Sequence, residues 1–66
     1  MIKYVMRNPV KGSVLDNALI NNKQFDSLNE AVSFARGGDF KCWIDEIKVR
    51  SNGYFKSTEK VCLEIV

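Results

Sequence analysis

Residues 40–66 read FKCWIDEIKVRSNGYFKSTEKVCLEIV, and their pattern decides the fold. At their centre is Asn52-Gly53, the dipeptide favoured in two-residue type I′ turns because both positions need positive φ. With those two as the loop, Ser51 faces Tyr54 and the arms pair over about 40–51 and 54–66. One side of this predicted ladder is apolar, with Phe40 opposite Ile65, Cys42 opposite Leu63 and Ile44 opposite Val61. The other side sets Lys41 against Glu64 and Asp45 against Lys60, around a Trp43–Cys62 pair. A slip of one residue would move every side chain to the other face, so the two patterns together argue for a hairpin. Past Ile44 the pattern breaks, because Glu46 and Glu59 oppose each other on the apolar side. Either a bulge near Asp45-Glu46 re-aims the strand, or the tip projects beyond whatever covers the base; the projecting tip is the preferred reading. That tip carries Ile47, Val49 and Tyr54 on one side and Lys48, Arg50 and Phe55 on the other.

Ahead of the hairpin, Ser27-Leu28-Asn29-Glu30 fits a capping box, in which the serine hydroxyl accepts from the amide three residues on and the glutamate reaches back. Leu28, Ala31, Val32 and Ala35 then recur at helical spacing, which predicts a helix over about 28–36 with Phe34 off the stripe. Gly37-Gly38 ends it, with a glycine expected in the left-handed C′ conformation. A helix this short needs tertiary packing to persist. Near the N-terminus Ile2, Tyr4 and Met6 alternate with Lys3, Val5 and Arg7, as in a strand half-buried against the helix. Asn8-Pro9 and Lys11-Gly12-Ser13 signal a turn or loop. Residues 14–20 fit a short second strand, the preferred reading, or a helix built on Val14, Leu15, Ala18 and Leu19. The expected fold is α+β, a single helix packed on one face of a small antiparallel or mixed sheet in the order β-β-α-β-β.

The chain has 66 residues, 45% of them hydrophobic, and a formal net charge of +2. A chain of this size buries only about 60% of its unfolded surface, so residues 1–66 are expected to form one domain with one core. That composition is too apolar and too nearly neutral for a disordered chain. No stretch is long and apolar enough to span a membrane or to serve as a signal peptide, which makes the cytoplasm the expected location. The near-neutral total hides an acidic centre, residues 26–47, between basic flanks.

There is no histidine. The usual general base at neutral pH, the partner of most Ser and Cys nucleophiles and the commonest metal ligand are therefore missing. Asp45 and Glu46 are adjacent on a strand and point to opposite faces, so they make no acid–base pair. Cys42 and Cys62 lack zinc-site spacing, and the predicted register puts them on opposite faces, excluding an internal disulfide. No catalytic residue, metal or cofactor is expected, and the chain is read as a non-enzyme.

Attention then falls on contact surfaces. A lone helix covers one face of the sheet, which leaves Trp43, Ile47, Val49 and Tyr54 as a candidate protein-binding patch with an aromatic centre and a charged rim. Lys48, Arg50, Phe55 and Lys56 form a second candidate, a basic tip with an interleaved ring suited to single-stranded nucleic acid or RNA. The partner is expected to be another protein, a host enzyme or a second copy of the chain, with nucleic acid as the alternative.

The segment Phe-Asp-Ser-Leu-Asn-Glu-Ala-Val-Ser-Phe-Ala at residues 25–35, after a strand and before a polar hairpin in so short a chain, resembles the small accessory proteins of tailed phages. Some of these bind and inhibit host enzymes such as RNA polymerase, nucleases or defence proteins. The resemblance implies a host-takeover inhibitor or modulator acting in the host cytoplasm, and it carries over no functional residue.

Overall fold

The computed structural model describes residues 1–9 and 19–65. Four elements follow in the order β1 (Ile2–Arg7), α1 (Leu28–Gly37), β2 (Cys42–Val49) and β3 (Phe55–Ile65). The strands form one antiparallel sheet in the order β1-β2-β3. The fold is thus α+β with one helix, but the described order is β-α-β-β and not the expected β-β-α-β-β. Residues 14–18 and the Lys11-Gly12-Ser13 turn signal lie outside the described residues. Of the expected second strand, Leu19 makes only an isolated bridge with Arg7, and the Ile20 amide donates to the Met6 carbonyl at 2.9 Å. Phe25 exchanges two backbone bonds with Tyr4 at 2.8 and 2.9 Å. Between these contacts Asn21 has a φ of 52°, so the segment bows away and does not run as a strand.

The helix forms where its local signals place it. Ser27 is the N-cap, extended in backbone, and its Oγ accepts from the Glu30 amide at 3.2 Å. Caps of this kind stabilise a helix by about 1 kcal/mol. Its far end corrects an expectation: Gly38 is the C-cap with φ −96°, and the left-handed residue is Asp39 at φ 55°. The Phe40 amide donates to the Ala35 carbonyl at 2.8 Å and the Asp39 amide to that of Arg36 at 3.3 Å, which is a Schellman ending with Asp39 at C′. Gly38 is needed for space. A Cβ there would meet the Phe40 ring at 2.6 Å, and that ring stacks on Phe34 with centroids 5.9 Å apart.

Ala31 and Ala35 bring the helix down onto Met6, Cys42, Ile44 and Phe25, with Leu63, Ile65 and Phe40 around them. The hairpin exists, but its register differs from the predicted one at both ends. At the base Cys42 pairs with Ile65, Trp43 with Glu64 and Ile44 with Leu63. This shift of two residues keeps Cys42, Ile44, Leu63 and Ile65 on the helix side, but Val61, expected opposite Ile44, pairs with Asp45 beyond the first bulge and is exposed, and the Lys41–Glu64, Asp45–Lys60 and Trp43–Cys62 pairs do not form. At the tip the loop has three residues. Gly53 donates to the Arg50 carbonyl at 3.0 Å with φ 88°, Arg50 pairs with Tyr54 through a 2.8 Å bond, and Asn52 stays out of the left-handed region. This slides the tip by one residue relative to the two-residue loop, pairing Lys48 with Lys56 and Val49 with Phe55.

Irregularities between Ile44 and Ile47 connect the two registers, and Glu59 on β3 takes φ 61° there. The bulge and the projecting tip are therefore not alternatives. Both occur, and residues 50–56 are exposed beyond the helix-covered base.

Candidate binding interface

Position along β2 determines the side a residue occupies, because its pairing with β1 is regular from Ile2–Lys48 to Arg7–Trp43. Cys42, Ile44, Glu46 and Lys48 lie on the helix side, and Trp43, Asp45, Ile47 and Val49 on the far side. The expectation that a lone helix leaves the far side open fails at its centre, where Val5, Asp45 and Ile47 are buried and Arg7 and Ser57 nearly so. That buried centre holds an ionic network. Arg7 Nε donates to Asp45 Oδ2 at 2.7 Å, and Ser57 Oγ donates to Asp45 Oδ1 at 2.9 Å. Asp45, expected to face Lys60 across the hairpin, is instead neutralised by Arg7 in the interior.

The same network reaches the bulge. Ser57 Oγ accepts from the Glu59 amide at 2.9 Å, and Thr58 Oγ1 donates to Glu46 Oε2 at 3.1 Å. Asp45 thus holds Ser57, and Ser57 holds the left-handed turn at Glu59, a conformation that costs a non-glycine residue about 1 kcal/mol.

The residues expected to bind a protein are divided by this geometry. Ile47 is 0% exposed and is no part of any surface. Trp43 and Val49 are half-buried, Trp43 in a row with Arg7 and Glu64. Tyr54 is 75% exposed. The one-residue slide at the tip also exchanges its two rings. By strand alternation Tyr54 now shares the helix side with Lys48, Arg50 and Lys56, while Phe55 moves to the far side beside Val49.

A different surface emerges, the end of the hairpin together with the start of β1. The Val49 amide donates to the Met1 carbonyl at 2.8 Å, and Ile2 pairs with Lys48, so the first residues lie against the tip. Of the exposed large apolar side chains among the described residues, Met1, Ile2, Tyr54 and Phe55 gather here, whereas Phe34 and Val61 lie elsewhere. Ile2 and Met1 were missed because their association with the tip depends on the β1–β2 register.

Neither edge of the sheet offers a long straight template. Leu19, Ile20 and Phe25 occupy β1's outer side, and β3 is interrupted by its bulges, a device that discourages edge-to-edge pairing. Both cysteines are free. Burial pushes the Cys42 thiol up; burial also raises that of Cys62, helped by Glu46 and Asp45 and opposed by Lys60. No helix among the described residues is long and apolar enough to cross a membrane. Comparison of the chain with protein-family models, with curated proteins and with solved structures finds no match.

Proposed function

We propose that this chain is a non-enzymatic protein-binding module, a modulator of its partner, that engages through the end of its C-terminal hairpin. The observation that carries this reading is the clustering of Ile2, Tyr54 and Phe55 with Lys48, Arg50 and Lys56 at the one end of the sheet that projects past the helix. Interfaces are enriched in Tyr and Arg and anchored by a few aromatic side chains inside a polar rim. The absence of histidine from the sequence weighs in the same direction, away from acid–base chemistry. The rest of the molecule serves the tip. The helix and the core secure the base, and the buried Arg7–Asp45–Ser57 network fixes the bend from which the tip departs.

The test is capture of a partner from cell lysate by the immobilised chain, with Tyr54→Ala and Trp43→Ala compared at equal helix and sheet content by circular dichroism. Loss of the captured protein with Tyr54→Ala and its retention with Trp43→Ala supports the tip as the interface. Retention with Tyr54→Ala and loss with a folded Trp43→Ala contradicts it.

A further inference from the structure

Lys48 and Lys56 stand directly opposite each other on neighbouring strands, and both are exposed. Like charges in that position oppose folding, and no ion pair among the described residues relieves them. Arg50 follows two residues beyond Lys48 on the same side, with Tyr54 opposite it. Three cations and one phenol ring therefore share a face that folding does not require, and the arrangement of the lysines costs stability.

We propose that this face is a site for an extended, acidic segment of a partner protein, one carrying carboxylates at alternate positions. The assignment rests on the binding-module reading above and names the chemistry of its partner. Lys48 lies on β2 and Arg50 one residue past its end, two residues apart and about 6.8 Å at the usual extended rise. An extended peptide repeats its own side chains at the same interval on one face, so alternate Asp or Glu residues fall in step with the cations. Ile2, paired with Lys48, supplies apolar contact at the edge of the row.

A depression of about 330 Å³ lined by Lys48, Lys56, Ser57, Thr58 and Glu59 lies beside the lysine pair. Glu59 lines it together with the two lysines, so an occupant that offers hydrogen-bond donors as well as anions suits it. A peptide does both, through its backbone N–H groups and its carboxylates, whereas the backbone of a DNA strand carries acceptors only. Single-strand binders also stack successive bases on several rings, and here the register separates Tyr54 from Phe55 onto opposite faces. These two features favour the acidic peptide over a single strand of DNA, and the separation of the rings alone counts against RNA.

The experiment measures fluorescence anisotropy with a labelled peptide of alternating Glu and Thr, an isomer with its Glu residues in one block, and an oligo-dT strand of equal charge. The alternating peptide is expected to bind best, weakening roughly tenfold with Lys48→Gln/Lys56→Gln and also with Tyr54→Ala. The same double variant is expected to raise Tm by a few degrees, since it removes the opposed charges; a binding loss caused by unfolding would lower Tm instead. Tighter binding of oligo-dT, equal binding of the two peptide isomers, or unchanged affinity in the double variant overturns the proposal. If the peptides fail to bind while Tyr54→Ala still abolishes capture of a partner, the acidic segment is the wrong ligand and the binding-module reading stands. If Tyr54→Ala leaves capture intact, that reading fails too.

Discussion

Arg7 Nε lies 2.7 Å from Asp45 Oδ2 in a pair that joins β1 to β2 on the sheet face away from the helix. Because Ser57 donates to the other oxygen of that carboxylate and accepts from the Glu59 amide, the pair also determines where β3 bends. A buried ion pair seldom adds stability over an apolar substitute, but breaking one leaves a buried charge uncompensated.

Asp45→Ala should therefore lower the unfolding free energy by about 3–5 kcal/mol, a large share of what a domain of this size possesses. Urea unfolding followed by tryptophan fluorescence measures it. Asp45→Asn, which keeps an acceptor for Ser57, should cost less. Equal losses from the two variants would mean that the acceptor for Ser57 contributes nothing and that the charge of Asp45 carries the whole effect.

The paired glycines at the helix end should respond in opposite directions. Gly37 is helical with nothing near its missing Cβ, so Gly37→Ala should stabilise by about 0.5–1 kcal/mol. Gly38→Ala drives a methyl group into the Phe40 ring and should destabilise by about 1–3 kcal/mol, the usual range for overpacking. Thermal melts of the two variants against the parent decide the matter.

Gly53 is left-handed at φ 88°, where a Cβ is disfavoured although space is open. Gly53→Ala should cost about 1–2 kcal/mol and Gly53→Asn distinctly less, since Asn tolerates this region. Equal stability of the parent and Gly53→Ala would argue against the three-residue loop and the tip register derived from it.

Alkaline pH should destabilise the fold through its thiols. Below the ordinary thiol value of 9.0 both folded and unfolded chains keep these protons. Above it the unfolded chain releases them, while the folded chain, whose values are raised chiefly by burial, still holds them; stability then falls as pH rises through the raised values. Urea midpoints taken on either side of pH 9.0 should show this decline, and a folded Cys42→Ala/Cys62→Ala variant should show less of it.

How far the sequence could be read depended on how local each signal was. Ser27 and Glu30 lie three residues apart, and the half of their expected capping box in which the serine hydroxyl accepts from the Glu30 amide is present. Cys42, Ile44, Leu63 and Ile65 kept their shared face because face membership depends only on whether a position is odd or even along the strand, which a two-residue shift leaves intact. The register itself was not legible. It depends on a loop one residue longer than Asn52-Gly53 suggests, and on a bulge held by Arg7, a residue 38 positions away from Asp45. The site inherited that error. With a one-residue slide at the tip, Tyr54 and Phe55 changed sides; Ile47 kept its side but is buried. The cations Lys48, Arg50 and Lys56 were found at the exposed tip, while their alignment with Ile2 required the pairing of β1 with β2.

The most direct test of the account is a nitrogen–proton correlation spectrum of the labelled chain during titration with the alternating Glu-Thr peptide. The amides of Ile2, Lys48, Arg50, Tyr54 and Lys56 should shift together and saturably, while those of Ala31, Ala35 and Trp43 stay in place. Shifts centred on Trp43 or along the helix, or none at the hairpin end, would contradict it.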